Sequence, residues 1–484
     1  MAAVFHSFGL PHLAALGLMG LALAASLHAA LHKRDSRAAA LWVLFIWLSP
    51  AFGPLLYWLF GINRIHRRAS AIRSKRVRAA AHSRRRKATK PLRDPLPPDL
   101  PAHLRGLARA TDKIAPFPLS GGNRIRPLVN GDEAYPRMLE AIARAERTIS
   151  FSTYIFDNDP TGRQFARALG EACRRGVQVR VILDDAGARY SWPSILGQLR
   201  RLGAPTARFH PRPLFLRLAA LNLRNHRKIL VVDGRLGFTG GMNIRHGNRL
   251  ALRPRRGIRD LMFEVQGPLV RQLQEVFAED WLFCAGEVLE GPEWFPPLSP
   301  QGEAVGRGIP DGPDEDLDRL ALTIHAAVSS VRERLAVATP YFLPERDLIS
   351  ALNTAALRGA RVQILLPAAN NLPFIHWASE AMWWQLLKWG CEIRLSPPPF
   401  DHSKLLLADG FWTLIGSANL DPRSLRLNFE FNLECYDRSL AREMGRWFDA
   451  RWRRARPVTL EEVDARPLPI RLRDGLARLA APFL

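Results

Sequence analysis

An internal duplication constrains this chain more than any other feature. Residues 146–183, ERTISFSTYIFDNDPTGRQFARALGEACRRGVQVRVIL, read as an apolar strand, an aromatic turn, an amphipathic helix and a second, alternating strand. From Glu333 the stretch ERLAVATPYFLPERDLISALNTAALRGARVQILLP repeats that order. The pairs Arg175-Gly176 and Arg358-Gly359 mark the same point in the two copies, 183 residues apart. That spacing is far beyond a solenoid period, so the chain holds a duplicated domain and not a repeat array. Strand, helix, strand order predicts α/β layering with a mainly parallel sheet. Between the copies, residues 293–319 have the Pro, Gly and acidic content of an exposed connection. Their acidic cluster reads as a solvated loop, because its spacing does not match a calcium loop.

Further into each copy comes a polar motif, NHRKILVVDGRLGFTGGMN in the first and DHSKLLLADGFWTLIGSAN in the second. Each contains His, any residue, Lys, four residues and Asp: His226, Lys228 and Asp233, then His402, Lys404 and Asp409. Gly240, Gly241 and Asn243 follow in one, Gly416, Ser417 and Asn419 in the other. In a strand, residues i and i+2 share a face, so each His and Lys emerge together while Arg227 or Ser403 turns away. A lone His beside a Lys is commonly surface decoration. Two copies related by pseudo-symmetry instead bring two imidazoles and two ammonium groups to one cleft. That set suits a phosphodiester: one imidazole attacks phosphorus, the other protonates the departing alkoxide, and the cations hold the non-bridging oxygens. No metal and no other cofactor is expected, since the neighbours of each His are Lys and not the Asp, Glu or Cys of a ligand cluster. Which imidazole attacks is not decided by the residues themselves.

Residues 9–30 and 39–62 contain no Lys, Arg, Asp or Glu, and each is long enough to cross a bilayer. A cleaved signal peptide is the alternative for the first, but residues 1–8 carry no positive charge and a second apolar stretch follows at once. The expectation is a transmembrane helical hairpin, its second leg interrupted by Pro50, Gly53 and Pro54. Residues 64–93 hold 13 Lys/Arg and no acidic residue, against Lys33, Arg34, Arg37 and Asp35 between the spans. The positive-inside rule therefore puts the rest of the chain on the cytoplasmic side. KPLRDPLPPDLP at 90–101 reads as a stiff spacer. The net charge of +24 implies a polyanionic partner, nucleic acid or an acidic membrane surface. Of that excess 13 lie in residues 64–93, leaving 24 − 13 = 11 elsewhere, so the most basic region adjoins the bilayer and an anionic membrane surface is favoured. Cys173, Cys284, Cys391 and Cys435 form no CxxC pair and read as reduced core residues.

At the paired HxKxxxxD motifs the chain resembles the phospholipase D superfamily from about Gly122 to its C-terminus. Within it, LSPAFGPLLYWLFGIN, LVNGDEAYPRMLEAI, GSANLDPRSLRLNFEFNLE and the ending RLAAPFL are similar to the bacterial cardiolipin synthases. The resemblance implies two pseudo-symmetric α/β sandwich domains sharing one active site, behind the hairpin. The divisions would be 1–62 (hairpin), 63–118 (basic and Pro-rich linker), 119–292 (first domain), 293–319 (linker) and 320–484 (second domain). It implies phosphatidyl transfer between two phosphatidylglycerol molecules through a phosphohistidine, at the inner membrane of a bacterium. His226 would be the nucleophile and His402 the general acid, with Lys228, Lys404, Asn243 and Asn419 at phosphate-binding positions and Ser417 at a phosphate-binding or orienting one. A carboxylate downstream of the opposite motif would orient each imidazole, which points to Asp260 and Glu430. Asp233 and Asp409 complete the motif in a catalytic or a structural role. Gly241 departs from Ser417 and removes a hydroxyl from one half. A hydrolytic phospholipase D, a transferase with another acceptor and, less in keeping with the anchor, a nuclease are the alternatives. For lipid access, residues 212–226 suit an interfacial segment, whereas Trp377, Trp383, Trp384 and Trp389 read chiefly as core.

Overall fold

The computed structural model describes residues 10–33, 36–61, 95–209, 223–313 and 317–481. The basic run 64–93, most of the Leu/Arg stretch (212–222) and the acidic residues 314–316 lie outside the described residues. The described residues divide into two compact units, 10–61 in the first and 95–481 in the second.

In the first unit, α1 (Leu10–His32) is, among the described residues, the one helix long and apolar enough to cross a membrane. Its 23 residues rise about 1.5 Å each, about 35 Å in all, against a hydrocarbon core of about 30 Å. α2 (Ser36–Leu48) has only 13 residues. The chain turns at Ser49–Phe52 and resumes in a short helix, Gly53–Leu56, and a π turn, Tyr57–Gly61. The break falls at Pro50, Gly53 and Pro54, where proline removes donors from the helical ladder. Ala22, Ala29, Ile46 and Tyr57 pack together, and His28 Nδ1 lies 2.8 Å from the Tyr57 hydroxyl. Leu13, Leu16, Leu23, Leu44 and Leu48 point outward.

The second unit is built on one continuous mixed sheet. The first copy supplies β1 (Ser120–Val129), β2 (Thr148–Thr153), β3 (Gln178–Asp184), β4 (Thr206–Phe209), β5 (Arg224–Asn225), β6 (Ile229–Val232), β7 (Leu236–Gly240), β8 (Ile258–Arg259) and β9 (Leu261–Gln266). The second supplies β10 (Ala304–Asp311), β11 (Arg334–Ala338), β12 (Arg361–Pro367), β13 (Glu392–Ser396), β14 (Phe400–Asp401), β15 (Leu405–Ala408), β16 (Trp412–Gly416), β17 (Asn428–Tyr436) and β18 (Arg456–Val458). The order β18-β13-β12-β11-β15-β16-β17-β10-β1-β9-β7-β6-β2-β3-β4 is nearly the same read from the centre outward in either direction. β10 and β1 pair antiparallel at that centre and join the halves.

Two expectations are corrected here. The sheet is not mainly parallel. Along that order only β2-β3-β4 and β11-β12-β13 run parallel, and the strands between them are antiparallel. The cause is local: Asp233-Gly234 and Asp409-Gly410 all have positive φ and close tight hairpins β6-β7 and β15-β16. Nor is the whole of 293–319 an exposed connection, since 304–311 are the fully buried strand β10. Its glycines reflect close packing, because a Cβ on Gly308 would lie 2.8 Å from the Phe431 ring.

Helices cover the sheet, among them α3 (Ala102–Ile114), α4 (Asn130–Arg144), α5 (Pro160–Arg174), α6 (Leu269–Ala285), α7 (Arg319–Ser330), α8 (Arg346–Leu357), α9 (Pro373–Glu380), α10 (Arg438–Arg454) and α11 (Leu468–Leu479). Each half has its own core. One gathers Ile142, Phe151, Phe165, Val181 and Phe238, the other Ile324, Val337, Ile364, Trp412 and Leu414. α3, within the stretch assigned to the linker 63–118, belongs to the second core through Leu104, Leu107 and Ala108. Arg307, fully buried in β10, ties it down through Asp112 and the Ala108 carbonyl and also pairs with Glu434. The four cysteines are free thiols, two of them buried and two half-buried.

Candidate active site

Two short strand pairs thread each motif into the opposite half. β5 runs parallel to the start of β17, with Asn225 opposite Phe429, and the His226 amide donates to the Phe429 carbonyl at 2.9 Å. β14 runs parallel to β8, with Asp401 opposite Arg259, and the His402 amide donates to the Arg259 carbonyl at 2.7 Å. Each histidine is thereby fixed beside the residue that precedes a carboxylate of the other half. The motif residues themselves lie just outside regular strand, but the alternation expected of them holds. Arg227 turns away and is buried, donating to Asp280 at 2.6 Å and to the Glu430 carbonyl at 3.0 Å.

The side chains complete this crossing. His226 Nδ1 lies 2.9 and 3.0 Å from the carboxylate oxygens of Glu430, and His402 Nδ1 lies 2.7 Å from Asp260 Oδ2. Lys228 Nζ donates to the His226 carbonyl at 2.5 Å and Lys404 Nζ to the His402 carbonyl at 2.6 Å. Lys404 also lies 3.0 and 3.1 Å from the two ring nitrogens of His402. His226, Lys228, Lys404, Asp260 and Glu430 are buried and His402 is half-buried beside them.

Burial governs the electrostatics. It pushes Lys228 down to about 7 and Lys404 down to about 8, against the pull of the two carboxylates. It lowers His226, with Glu430 opposing, and lowers His402 much further, with both lysines adding to the effect. The two carboxylates diverge. Burial raises Asp260 to about 7. Glu430 is buried as deeply, but His226, Lys228 and the Ser417 hydroxyl outweigh burial and hold it at about 2. Glu430 accepts from the Ser417 hydroxyl and from Asn428 Nδ2 at 3.0 Å. Opposite, a Cβ on Gly241 would meet Asp260 Oδ1 at 2.4 Å, so glycine there leaves room for the carboxylate.

The other expected residues are placed less directly. Ser417, expected at a phosphate-binding or orienting position, is fully buried with its hydroxyl donating to Glu430. Asn243 Oδ1 accepts the Ile155 amide at 3.0 Å, and Asn419 Nδ2 donates to Ser424 at 3.1 Å. The structure does not bring Asp233 and Asp409 to the imidazoles. Both sit at hairpin turns at the far ends of β6 and β15. Asp233 accepts the amides of Glu146, Arg147 and Thr148, and Asp409 those of Arg332, Glu333 and Arg334. Asp409 also lies 2.8 Å from His103 Nε2. Among the tryptophans, Trp383 is buried and Trp377 half-buried, while Trp384 and Trp389 are exposed, so core packing accounts for only part of that group.

Two aromatic residues beside the imidazoles escaped the reading by motif. The Tyr154 ring is 5.1 Å from that of His226 and the Tyr341 ring 6.1 Å from that of His402. The aromatic turn after the first strand of each repeat was the available signal.

Comparisons with known proteins point to one family. The family described as "Cardiolipin synthase, PLD-like domain" matches residues 138–281 and 324–452, one match in each half, and "Phospholipase_D-nuclease N-terminal" matches 20–61. Cardiolipin synthase A of Pseudomonas fluorescens is 32% identical over 482 residues, covering 99% of each chain. The major cardiolipin synthase of Bacillus subtilis is 30% identical over 468 residues, covering 93% of this chain and 95% of its own. Among solved structures, a phosphatidylserine synthase of Haemophilus influenzae superposes with a TM-score of 0.60 at 15% identity, over 78% of this chain and 99% of that one, a likeness of fold.

Proposed function

The chain belongs to the cardiolipin synthase family of phospholipase D-like proteins and is a phosphatidyltransferase, and from that premise we propose how the paired-histidine site performs the transfer. His226 Nε2 attacks the phosphorus of one phosphatidylglycerol. The bond from phosphorus to the glycerol oxygen breaks, and His402 gives that oxygen a proton. A second phosphatidylglycerol then takes the place of glycerol. His402 removes the proton from its hydroxyl, the new oxygen attacks phosphorus, and the phosphorus–nitrogen bond breaks. Cardiolipin and glycerol result, and both imidazoles return to their starting state.

The inequality of the two carboxylates carries this assignment. Glu430, held near 2, stays ionised and accepts a hydrogen bond from the Nδ1–H of a neutral His226, which leaves Nε2 with a free lone pair for attack. Asp260, raised to about 7, shares a proton with His402 near neutrality, as a general acid requires. Lys228 and Lys404, with Asn243 and Asn419, hold the non-bridging oxygens, and the entering phosphate anion favours the charged lysines. Asp233 and Asp409 anchor the starts of β2 and β11.

Purified enzyme given phosphatidylglycerol is expected to release cardiolipin and glycerol in equal amounts. Phosphatidic acid as the sole product would mean hydrolysis and refute the transfer. Quenched at short times, the His402→Ala variant should hold a phosphatidyl group on His226; a label on any other residue overturns the role of His226.

The apolar helix and the N-terminal family match support membrane attachment. We read α1 and the broken second stretch as the two legs of an anchor at a bacterial inner membrane, with the catalytic unit on the cytoplasmic side and the basic run against anionic head groups. A reporter fused to the C-terminus should register as cytoplasmic, and a periplasmic signal would reverse the topology.

A further inference from the structure

α11 carries an apolar stripe that the described residues do not cover. Leu468, Leu472, Leu476 and Leu479 fall at i, i+4, i+8 and i+11, one face of a helix, and are 66%, 58%, 66% and 73% exposed. The opposite face is where α11 meets the protein: Asp474 is buried between Arg466 and Arg473, and Ala477 is fully buried. Arg471 and Arg478 flank the stripe on one side and are exposed. Arg473 flanks it on the other, its guanidinium 4.6 Å from the Trp377 ring centroid. Leucines outward with arginines on both margins suit an interface between acyl chains and anionic head groups, since arginine can bury its stem and keep its charge among phosphates.

The position of this face gives it a use. α11 packs on α9, and Ala477 joins a cluster with Ile375 and Ala378 of α9 and with Tyr341, Leu343 and Phe400. Tyr341 and Phe400 are the rings beside His402, at 6.1 and 5.9 Å. Leu372 and Phe374, at the start of α9, are also exposed. A buried apolar cluster therefore links the inner face of α11, through α9, to the rings beside His402, and the exposed stripe lies on the outer side of that same helix.

We propose that α11 is a membrane-docking helix that lies in the surface of an anionic phospholipid bilayer and holds the mouth beside His402 against the lipid from which substrate is drawn. This rests on the phosphatidyl-transfer reading of the site. It adds a second attachment to the bilayer, separate from the N-terminal helices, and accounts for an exposed leucine stripe on the catalytic unit.

The test uses the full chain reconstituted in phosphatidylglycerol vesicles. A fluorophore on the Leu472→Cys variant, with the native chain labelled in parallel as background, should be quenched by lipids brominated on the acyl chain. Leu472→Glu with Leu476→Glu should lower the transfer rate at least tenfold in vesicles and leave it unchanged on phosphatidylglycerol dispersed in detergent micelles. Absence of quenching, or an equal loss in both media, overturns the proposal. Disulfide cross-linking between two copies of the Leu472→Cys variant without lipid quenching also overturns it, by assigning the stripe to self-association. If phosphatidic acid replaces cardiolipin while quenching and the vesicle-specific loss persist, the transfer reading fails and the docking helix stands.

Discussion

His226 and Glu430 come from opposite halves of a duplicated body, yet the imidazole Nδ1 lies within 3.0 Å of both carboxylate oxygens. His402 and Asp260 repeat the relationship in the reverse sense at 2.7 Å. Neither half contains a complete catalytic pair. Replacing Glu430 by Gln or Asp260 by Asn keeps the shape and removes the charge. Each is expected to lower kcat about 100- to 10,000-fold, the range of general acid–base contributions, with little change in KM for vesicle phosphatidylglycerol. Steady-state assays of the two variants decide it, and near-normal kcat in either would refute the crossed arrangement.

The pH profile follows from the direction of the shifts. Lys228 and Lys404 titrate at about 7 and about 8, and their charge is lost as pH rises. The proton raised to about 7 on Asp260 is lost in the same direction. All three losses act together, so kcat/KM should fall above about pH 7. His226 is lowered from 6.5, so the acid limb should lie below that value. A bound phosphate anion stabilises the ammonium groups, and kcat should persist to higher pH than kcat/KM. A kcat/KM still rising at about pH 9 would contradict this balance.

Gly241 and Ser417 occupy matching motif positions but cannot be exchanged. In Gly241→Ala the new Cβ meets Asp260 Oδ1 at 2.4 Å and Lys404 Cδ at 3.0 Å, so turnover should fall as far as in Asp260→Asn. Ser417→Ala removes one donor of several from Glu430, and a loss of about tenfold is expected, the equivalent of one hydrogen bond to a charged group. Rate measurements on the two variants under one assay test the order; a greater loss in Ser417→Ala would reverse it.

Asp233 and Asp409 should matter for folding more than for chemistry. Each carboxylate takes three backbone amides, and each residue has a φ near +50°. Alanine leaves those amides unmet and strains the turn, at a cost of about 1 to 3 kcal/mol for the lost acceptors. Thermal unfolding should reveal a lower Tm in Asp233→Ala and Asp409→Ala, while kcat per folded molecule stays close to normal. A large fall in kcat with an unchanged Tm would return these residues to the reacting set.

Turnover is expected to survive chelation. Lys228 and Lys404 put two cations beside the imidazoles, in the role a metal would otherwise fill at the phosphate oxygens. Activity abolished by EDTA and restored by a divalent ion would count decisively against a lysine-based site.

Much of this was legible in the chain because the duplication exposes it. Two HxKxxxxD motifs at equivalent places announce a shared cleft, and Pro50, Gly53 and Pro54 announce the broken second leg. The antiparallel middle of the sheet was also written there, as Asp-Gly at 233–234 and 409–410, but βαβ order drew the reading toward parallel strands. β10 was hidden by glycines that serve close packing, although a loop is their commoner setting. The engagement of Ser417 with Glu430 could not be read at all, since it depends on which neighbours the pairing of β16 with β17 brings together. The unequal carboxylates were hidden for the same reason: Asp260 and Glu430 differ through their neighbours and not through their type.

The pairing of β1 with β10 has a kinetic consequence. A cleft whose walls are strands of one sheet cannot widen by swinging one half from the other, because the swing would break backbone hydrogen bonds at the seam. The phosphohistidine proposed for such a cleft predicts a ping-pong order, with glycerol departing before the acceptor binds, and double-reciprocal plots with a distinct alcohol acceptor should give parallel lines.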